Sequence, residues 1–435
     1  TFDKNFKFLI PLTIFLIPTF LASFYGLVSF SFSILKTKKK ITSFFLFSIL
    51  FGIMEYVRGS IFTGFPWNLI AYSFSDHYLI LSTISVFGTY GFNLLCISLF
   101  TCPAIVILNK SKKSFIYLIS YLIIFTFFYF YGVNYKDQFN KLDDKIYEYK
   151  VRVVGSNINL DRFYERIDPE LVITDLINLS RPKAEEKTIF IWPEGILPGI
   201  SQKELIQYDW LFNQNFSNNH LLIIGTNSQI RKNDTDFFFN SLTLYDHKLN
   251  LINSYNKINL VPFGEFLPFE NILKKFGIRS ITNNYQSFSK GEKRKILDIK
   301  KGEYSLKILP LICYEIIYSG KLFDDPNFDF IVNISEDGWF GQSVGPKQHL
   351  VHSIYRAIES GKYILRSSNN GMAAIINPLG IIEKKVDFNQ SGYIDFDQSK
   401  KIKPTLFSKY KNKIFYLLIL LYIFLIFSFN RIKNE

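Results

Sequence analysis

Hydrophobic positions along this chain follow two different rules. In five stretches, 7–35, 41–58, 78–108, 114–133 and 413–430, apolar residues continue almost unbroken. Each run approaches or exceeds the roughly 20 residues that a helix needs to cross a hydrocarbon layer of about 30 Å. The first and third are longer than a single crossing requires, so tilt or kinking is expected, with Pro11, Pro18 and Pro103 as candidate kink positions. Between 150 and 400 the pattern changes to short runs rich in Ile, Val, Leu and aromatics, set between polar or helical stretches. Val151–Val154, Thr188–Trp192, Leu221–Gly225, Ser241–Tyr245, Leu306–Cys313, Phe330–Ile334, Tyr363–Arg366 and Ala373–Ile376 read as strands. Helical patterns cover 168–180, 202–215 and 346–361. Strands alternating with helices predict an α/β domain with a largely buried sheet. The organisation expected is therefore about four transmembrane helices within 1–135, an α/β domain over 150–400 and a last transmembrane helix at 413–430.

Charge orients this arrangement. Lysine and arginine number 50 against 37 acidic residues, a net charge of +13, but much of the excess lies beside the apolar runs. There it reads as membrane-anchoring charge and not as a nucleic-acid surface. The turn Lys36-Thr37-Lys38-Lys39-Lys40, the turn Lys110-Ser111-Lys112-Lys113 and the tail with Arg431 and Lys433 are strongly basic. The positive-inside rule makes all three cytoplasmic, which leaves the loop 59–77 and the stretch 134–412 outside. The lysines at 400, 401, 403, 409, 411 and 413 lie on that outer side, where phospholipid headgroups are a suitable partner. The chain opens on Thr1 and enters an apolar run with no small-residue cleavage site after it. That excludes a signal peptide and suggests a start partway into a longer protein.

Candidate chemistry gathers where strands end. Cys313 is the only cysteine of the α/β region; Cys96 and Cys102 lie in the third apolar run. With three cysteines there is no disulfide framework, and no zinc spacing, phosphate loop or dinucleotide fingerprint is present, so neither metal nor cofactor is expected. A lone thiol at a strand end is a nucleophile candidate, although many free cysteines are simply buried. Two further strand ends carry charge. Ile189-Phe190-Ile191-Trp192-Pro193-Glu194 stops at a proline just before Glu194, and Asn256-Lys257 is followed by Val261-Pro262-Phe263-Gly264-Glu265. A carboxylate, an ammonium and a thiol are the inventory for acyl transfer: a base, a cation for the oxyanion and a nucleophile. Glu265, Tyr314 and Glu315 stand beside them as supporting candidates, the two carboxylates able to orient Lys257 or share its proton. A Cys–His hydrolase using His349 or His352 is an alternative. A transporter or scaffold is a third class, disfavoured because Glu55 and Arg58 fall near a span end and not along a transport path.

These segments, in this order, resemble the nitrilase or carbon–nitrogen hydrolase superfamily. With the membrane spans, the chain is similar to the apolipoprotein N-acyltransferase family within it. The motifs carrying the resemblance are Trp-Pro-Glu at 192–194, Asn-Lys at 256–257, Val-Pro-Phe-Gly-Glu at 261–265, Cys-Tyr-Glu at 313–315 and Trp-Phe-Gly at 339–341. Gly-Pro-Lys-Gln-His at 345–349, Arg366, Ser-Asn-Asn-Gly at 368–371 and Gly-Phe-Pro-Trp at 64–67 extend it. Two features depart from the family: fewer N-terminal spans, and Asp161-Arg162-Phe163-Tyr164 where a Lys-Trp pair is usual. The resemblance implies a nitrilase-like α-β-β-α sandwich with a Glu194–Lys257–Cys313 triad. It implies a phospholipid acyl donor, a diacylated apolipoprotein acceptor and a thioester acyl-enzyme. It also implies a monomer in the bacterial inner membrane, with the α/β domain on the periplasmic side. Trp67, Trp339 and Phe340 are candidate substrate contacts, and the segment Phe263–Phe288 is a candidate membrane-facing arm. A membrane-tethered amidase that passes the acyl group to water is the nearest alternative.

Overall fold

The computed structural model describes residues 10–108, 110–165, 167–269, 275 and 287–431. Most of the arm expected at Phe263–Phe288 lies outside the described residues. The N-terminal part is helical: α1 (Ile10–Leu35), α2 (Lys40–Arg58), a single turn α3 (Tyr78–Leu81), α4 (Ile84–Leu108) and α5 (Lys112–Asn140). In lipid a backbone must satisfy its own polar groups, and a helix does so within one segment. Apolar side chains such as Phe15, Ile107 and Phe127 project outward from these helices.

The third apolar run is not one helix, and its break is not at Pro103. It divides between Leu81 and Ile84, and Gly88 adopts a left-handed φ of 68° near the start of α4. A side chain at Gly88 would lie 2.0 Å from the Phe407 ring, so this close approach requires glycine. α5 continues past residue 133 to Asn140, carrying its polar last turns out of the apolar layer.

The α/β part contains, in chain order, β1 (Asp144–Gly155), α6 (Pro169–Ser180), β2 (Thr188–Ile191), α7 (Asp209–Asn215), β3 (His220–Lys232), β4 (Thr235–Asp246) and β5 (Leu251–Asn256). It continues with β6 (Leu297–Lys301), β7 (Tyr304–Ile312), β8 (Phe330–Glu336), α8 (Gly345–Ser360), β9 (Tyr363–Asn369), β10 (Ala373–Ile376), β11 (Ile382–Val386) and β12 (Gly392–Lys400). The chain closes with α9 (Leu406–Tyr410) and α10 (Lys413–Arg431). Two six-stranded sheets form, ordered β12-β1-β2-β3-β4-β5 and β11-β10-β9-β8-β7-β6. β1, β2 and β3 run parallel, as do β7, β8 and β9, so the two parallel trios deliver their C-terminal ends as groups.

Val151, Val153, Ile189 and Ile223 of one sheet meet Ile308, Val332, Ile334 and Leu365 of the other in a core from which water is excluded. α6 and α7 cover the outer face of the first sheet through Leu176, Phe212 and Phe216, with Trp192 packed among them. α8 covers the second sheet and carries that core on into the helical part through Tyr355, Leu81 and Phe92. The layers are those of an α-β-β-α sandwich.

Polar contacts lock this sandwich to the helices. The break before Thr89 frees its N–H, which with the Thr89 hydroxyl donates to Glu359 Oε1 on α8, each at 2.7 Å. Arg356 pairs with Glu359 at 2.8 Å and donates to the Ile317 carbonyl at 2.9 Å. At the opposite ends of the spans, Lys39 donates to the Asn430 carbonyl at 2.8 Å and Lys40 to the Leu108 carbonyl. The basic 36–40 turn thus caps the carbonyl ends of α10 and α4, where a helix favours cations. The 36–40 turn and the C-terminal ends of α4 and α10 thus gather on one face.

Candidate active site

β7 ends at Ile312, and the next residue, Cys313, turns into the left-handed region with φ 49° before a short 3-10 turn over Cys313–Ile317. A non-glycine residue held there stores backbone strain. What holds it is Glu315, fully buried. Its Oε2 accepts from the Ile312 N–H at 3.0 Å, while Oε1 accepts from the Tyr255 hydroxyl at 2.7 Å and the Ile258 N–H at 2.9 Å, with Arg294 at 3.2 Å. Glu315 therefore ties the cysteine turn to the backbone that follows Lys257. It does not touch the Lys257 ammonium and is a structural anchor.

Glu265 does touch that ammonium. Lys257 Nζ donates to Glu265 Oε1 at 2.9 Å and to Glu194 Oε1 at 3.1 Å. Asn240, on β4, donates through Nδ2 to the same two oxygens at 2.8 and 2.7 Å. Glu194 follows β2 on a loop laid directly over β3; a side chain at Gly225 would meet the Glu194 Cα at 2.6 Å. Its second oxygen, Oε2, accepts the Glu336 N–H at 3.0 Å. Lys257 is 1% exposed, Glu194 6% and Cys313 8%, so all three operate away from bulk water.

Electrostatics bring the thiol into the same group. Burial and the Glu194 carboxylate push the Cys313 thiol well above its usual range, against the opposing pull of Lys257. Burial alone would pull Lys257 down, but Glu194, Glu265 and Cys313 outweigh it and hold the ammonium well above the ordinary lysine value. The resting state is thus a neutral thiol beside a charged lysine. Because the thiol's pKa is raised, its thiolate fraction at neutral pH is below that of free cysteine. Iodoacetamide alkylation of Cys313, followed by peptide mapping, is expected to be slower than for free cysteine at neutral pH and to climb through the alkaline range. A rate already at its plateau at neutral pH would contradict a resting thiol.

The two histidines occupy other positions. His349 places Nε2 3.3 Å from the Cys313 carbonyl oxygen and Nδ1 2.9 Å from Asp337 Oδ1, in a buried cluster with Arg366. Burial and Arg366 lower its pKa. His352 Nδ1 lies 3.1 Å from the Tyr72 hydroxyl. His349 supports the cysteine turn through the main chain, an arrangement unlike a Cys–His pair.

The membrane part contributes directly to the site's surroundings. Tyr314 donates to the Gly64 carbonyl at 2.7 Å and Tyr318 to that of Thr63 at 2.5 Å, while Arg58 at the end of α2 holds the Phe65 carbonyl at 2.7 Å. The loop so pinned presents Trp67, whose Nε1 donates to Gln348 at 2.7 Å and whose ring lies 5.3 Å from Phe340 and 5.7 Å from His349. Trp339, 43% exposed, packs 4.8 Å from Phe163. Trp67 from the membrane loop and Phe340 from the turn after β8 thus meet over His349, which contacts the cysteine turn, while Trp339 packs against Phe163.

Asn240, Arg162, Glu336 and Asp337 also build the site and were not apparent from sequence motifs. For Asn240 the available signal is an amide that breaks the apolar run Phe237-Phe238-Phe239.

A paired-sheet sandwich with a buried carboxylate, ammonium and thiol at its strand ends defines a protein of the carbon–nitrogen hydrolase class, and the profile of that family matches residues 172–401. The profile of the apolipoprotein N-acyltransferase N-terminal domain matches residues 2–102. The apolipoprotein N-acyltransferase of Rickettsia prowazekii is 32% identical over 421 residues, covering 94% of this chain and 80% of its own length. That of Rickettsia bellii is 33% identical over 440 residues, covering 99% and 84%, and that of Rhodopseudomonas palustris 28% over 422, covering 93% and 77%. The chain belongs to the apolipoprotein N-acyltransferase family. An amidase crystal structure from Nesterenkonia sp. aligns at 10% identity and a TM-score of 0.41, covering 64% of this chain and 98% of that one, a likeness too slight to add weight.

Proposed function

We propose that this protein N-acylates the N-terminal S-diacylglyceryl cysteine of bacterial apolipoproteins, taking the acyl chain from a phospholipid through a thioester on Cys313. The observation that carries the reading is the buried Glu194–Lys257 pair in electrostatic contact with a neutral thiol, on a fold joined to five helices long and apolar enough to cross a membrane. Glu194 takes the thiol proton as sulfur attacks the ester carbonyl, and Lys257 stabilises the developing oxyanion. Collapse breaks the ester C–O bond, and Glu194 returns the proton to the departing lysophospholipid oxygen. In the second half the α-amine attacks the thioester, Glu194 accepts its proton, and the amide leaves as the thiol reforms. The fall in energy from thioester to amide drives transfer one way.

Both substrates are lipid-anchored, and the docking of the Trp67 loop onto α8 supports a site supplied from the membrane surface. The basic inner turns support a periplasmic position for the sandwich. The test is incubation of the detergent-solubilised protein with a phospholipid carrying a labelled acyl chain. A hydroxylamine-sensitive label on Cys313, discharged by a diacylated lipopeptide as a stable amide, is the expected result. Discharge to water with no transfer to the peptide would favour a membrane-tethered amidase, and absence of label on Cys313 would sink the thioester route.

A further inference from the structure

Arg162 and Glu336 form an ion pair in the interior, 6% and 1% exposed, that no step of the reaction above employs. Taking two charges out of water is costly and persists only where hydrogen bonds satisfy what remains. Here they do. Arg162 Nη1 donates to the carbonyls of Ile158 at 3.1 Å and Asn159 at 2.8 Å, and Nε and Nη2 reach the Gly195 carbonyl at 3.3 and 3.2 Å. The Glu336 carboxylate accepts from Asn369 Nδ2 at 2.7 Å and from the Gly338 N–H at 2.9 Å, besides Arg162.

Both ends of this pair flank Glu194. Gly195 is its chain neighbour, and the Glu336 N–H donates to Glu194 Oε2 at 3.0 Å. The two carboxylate oxygens carry different loads. Oε1 already accepts from Asn240 and Lys257, while Oε2 accepts the Glu336 N–H. A carboxylate oxygen has about two acceptor sites, which leaves Oε2 as the oxygen open to a proton. We propose that the Arg162–Glu336 pair is a positioning clamp for Glu194, fixing the peptide on either side so that Oε2 is held toward Cys313. This rests on the reading of Glu194 as the base. The pair touches neither substrate nor thiol and acts through the orientation it imposes.

Displacing a catalytic group by about 1 Å can cost on the order of 100-fold in rate. Arg162→Gln and Glu336→Gln are therefore expected to slow single-turnover acylation of Cys313 by roughly 10- to 100-fold, with the phospholipid KM changed less than about threefold. Arg162→Lys retains the charge but gathers its donors on one nitrogen, and is expected to recover part of the rate. The double variant Arg162→Gln/Glu336→Gln leaves no uncompensated buried charge; it is expected to fold and still to acylate slowly. Wild-type kcat in the folded double variant, or a loss confined to KM, would overturn the clamp. Glu194→Gln run alongside separates the two levels. If it acylates at the wild-type rate, the base assignment itself fails. If it is inactive while the double variant acylates at the wild-type rate, only the clamp fails.

Discussion

Cys313→Ala is expected to lower acyl transfer by about 10⁴-fold or more, because removing a nucleophile leaves only binding and oxyanion stabilisation. The same substitution is expected to change folding stability by less than about 1 kcal/mol, since a buried sulfur is lost with no charge left unpaired. Backbone conformation allows a sharper test. Cys313 is held at φ 49°, a region that costs an ordinary residue on the order of 1–3 kcal/mol and glycine nearly nothing. Cys313→Gly should thus be as inactive as Cys313→Ala yet unfold at a higher temperature. Thermal unfolding of both variants in the same detergent, beside the lipopeptide acylation assay, measures the two effects together. Equal stability of the alanine and glycine proteins would mean that the turn is not strained. Retained transfer in either would remove sulfur from the mechanism.

The parts legible in the sequence share a physical cause. The eight strands anticipated from short apolar runs are the inner strands of the two sheets, buried on both faces, and burial on both faces is what makes a run continuously apolar. The strands not anticipated are β5, β6, β11 and β12, and these are the four sheet edges. Their sequences interrupt the apolar run with polar residues, as Asn253 and Ser254 in β5, or with charge, as in Leu-Asp-Ile-Lys-Lys of β6 and Ile-Glu-Lys-Lys-Val of β11, because one side of each meets solvent. The helix at 202–215 is a 3-10 turn over Leu205–Tyr208 followed by the short α7, since Leu205, Leu211 and Phe212 suffice to cover the sheet there.

The third apolar run was read as one span because hydropathy does not register a backbone break. The break serves Glu359, more than 250 residues away in sequence, which no local pattern reveals. Glu194 and Cys313 were visible because each stands at or just past the end of an anticipated strand, and Lys257 because it opens the Asn256–Glu265 motif. Glu265 and Glu315 were seen as carboxylates without distinct roles; only the fold separates the one that touches the ammonium from the one that anchors backbone. Asn240 and the Arg162–Glu336 pair matter through partners on other strands, and their meaning exists only once the sheets are assembled.

Lys257→Met carries the second large effect, and it acts on stability as well as rate. In the native protein Lys257 Nζ stands between Glu194 and Glu265, 3.1 and 2.9 Å away, with all three largely removed from water. Methionine fills a similar volume but leaves two carboxylates facing each other across Asn240. Breaking a buried pair by removing one partner costs about 3–5 kcal/mol, because the charge left behind keeps its desolvation penalty. Loss of an oxyanion donor lowers the rate by roughly 10²–10³-fold. The two effects separate in Lys257→Met/Glu265→Gln, which removes one of the stranded charges; stability should return in large part while acylation stays slow.

The pH dependence has a definite sign. The folded-state pKa of Lys257 is raised above its unfolded value, so its contribution is complete below the ordinary lysine range and is lost as pH climbs through the higher native value. Wild type and Lys257→Met should therefore differ most near neutrality and converge only in strong alkali, as followed by denaturant unfolding across pH. A gap that closes already at neutral pH would mean that Lys257 is not held as a cation. The ion pair at the centre of the proposed chemistry would then have to be abandoned.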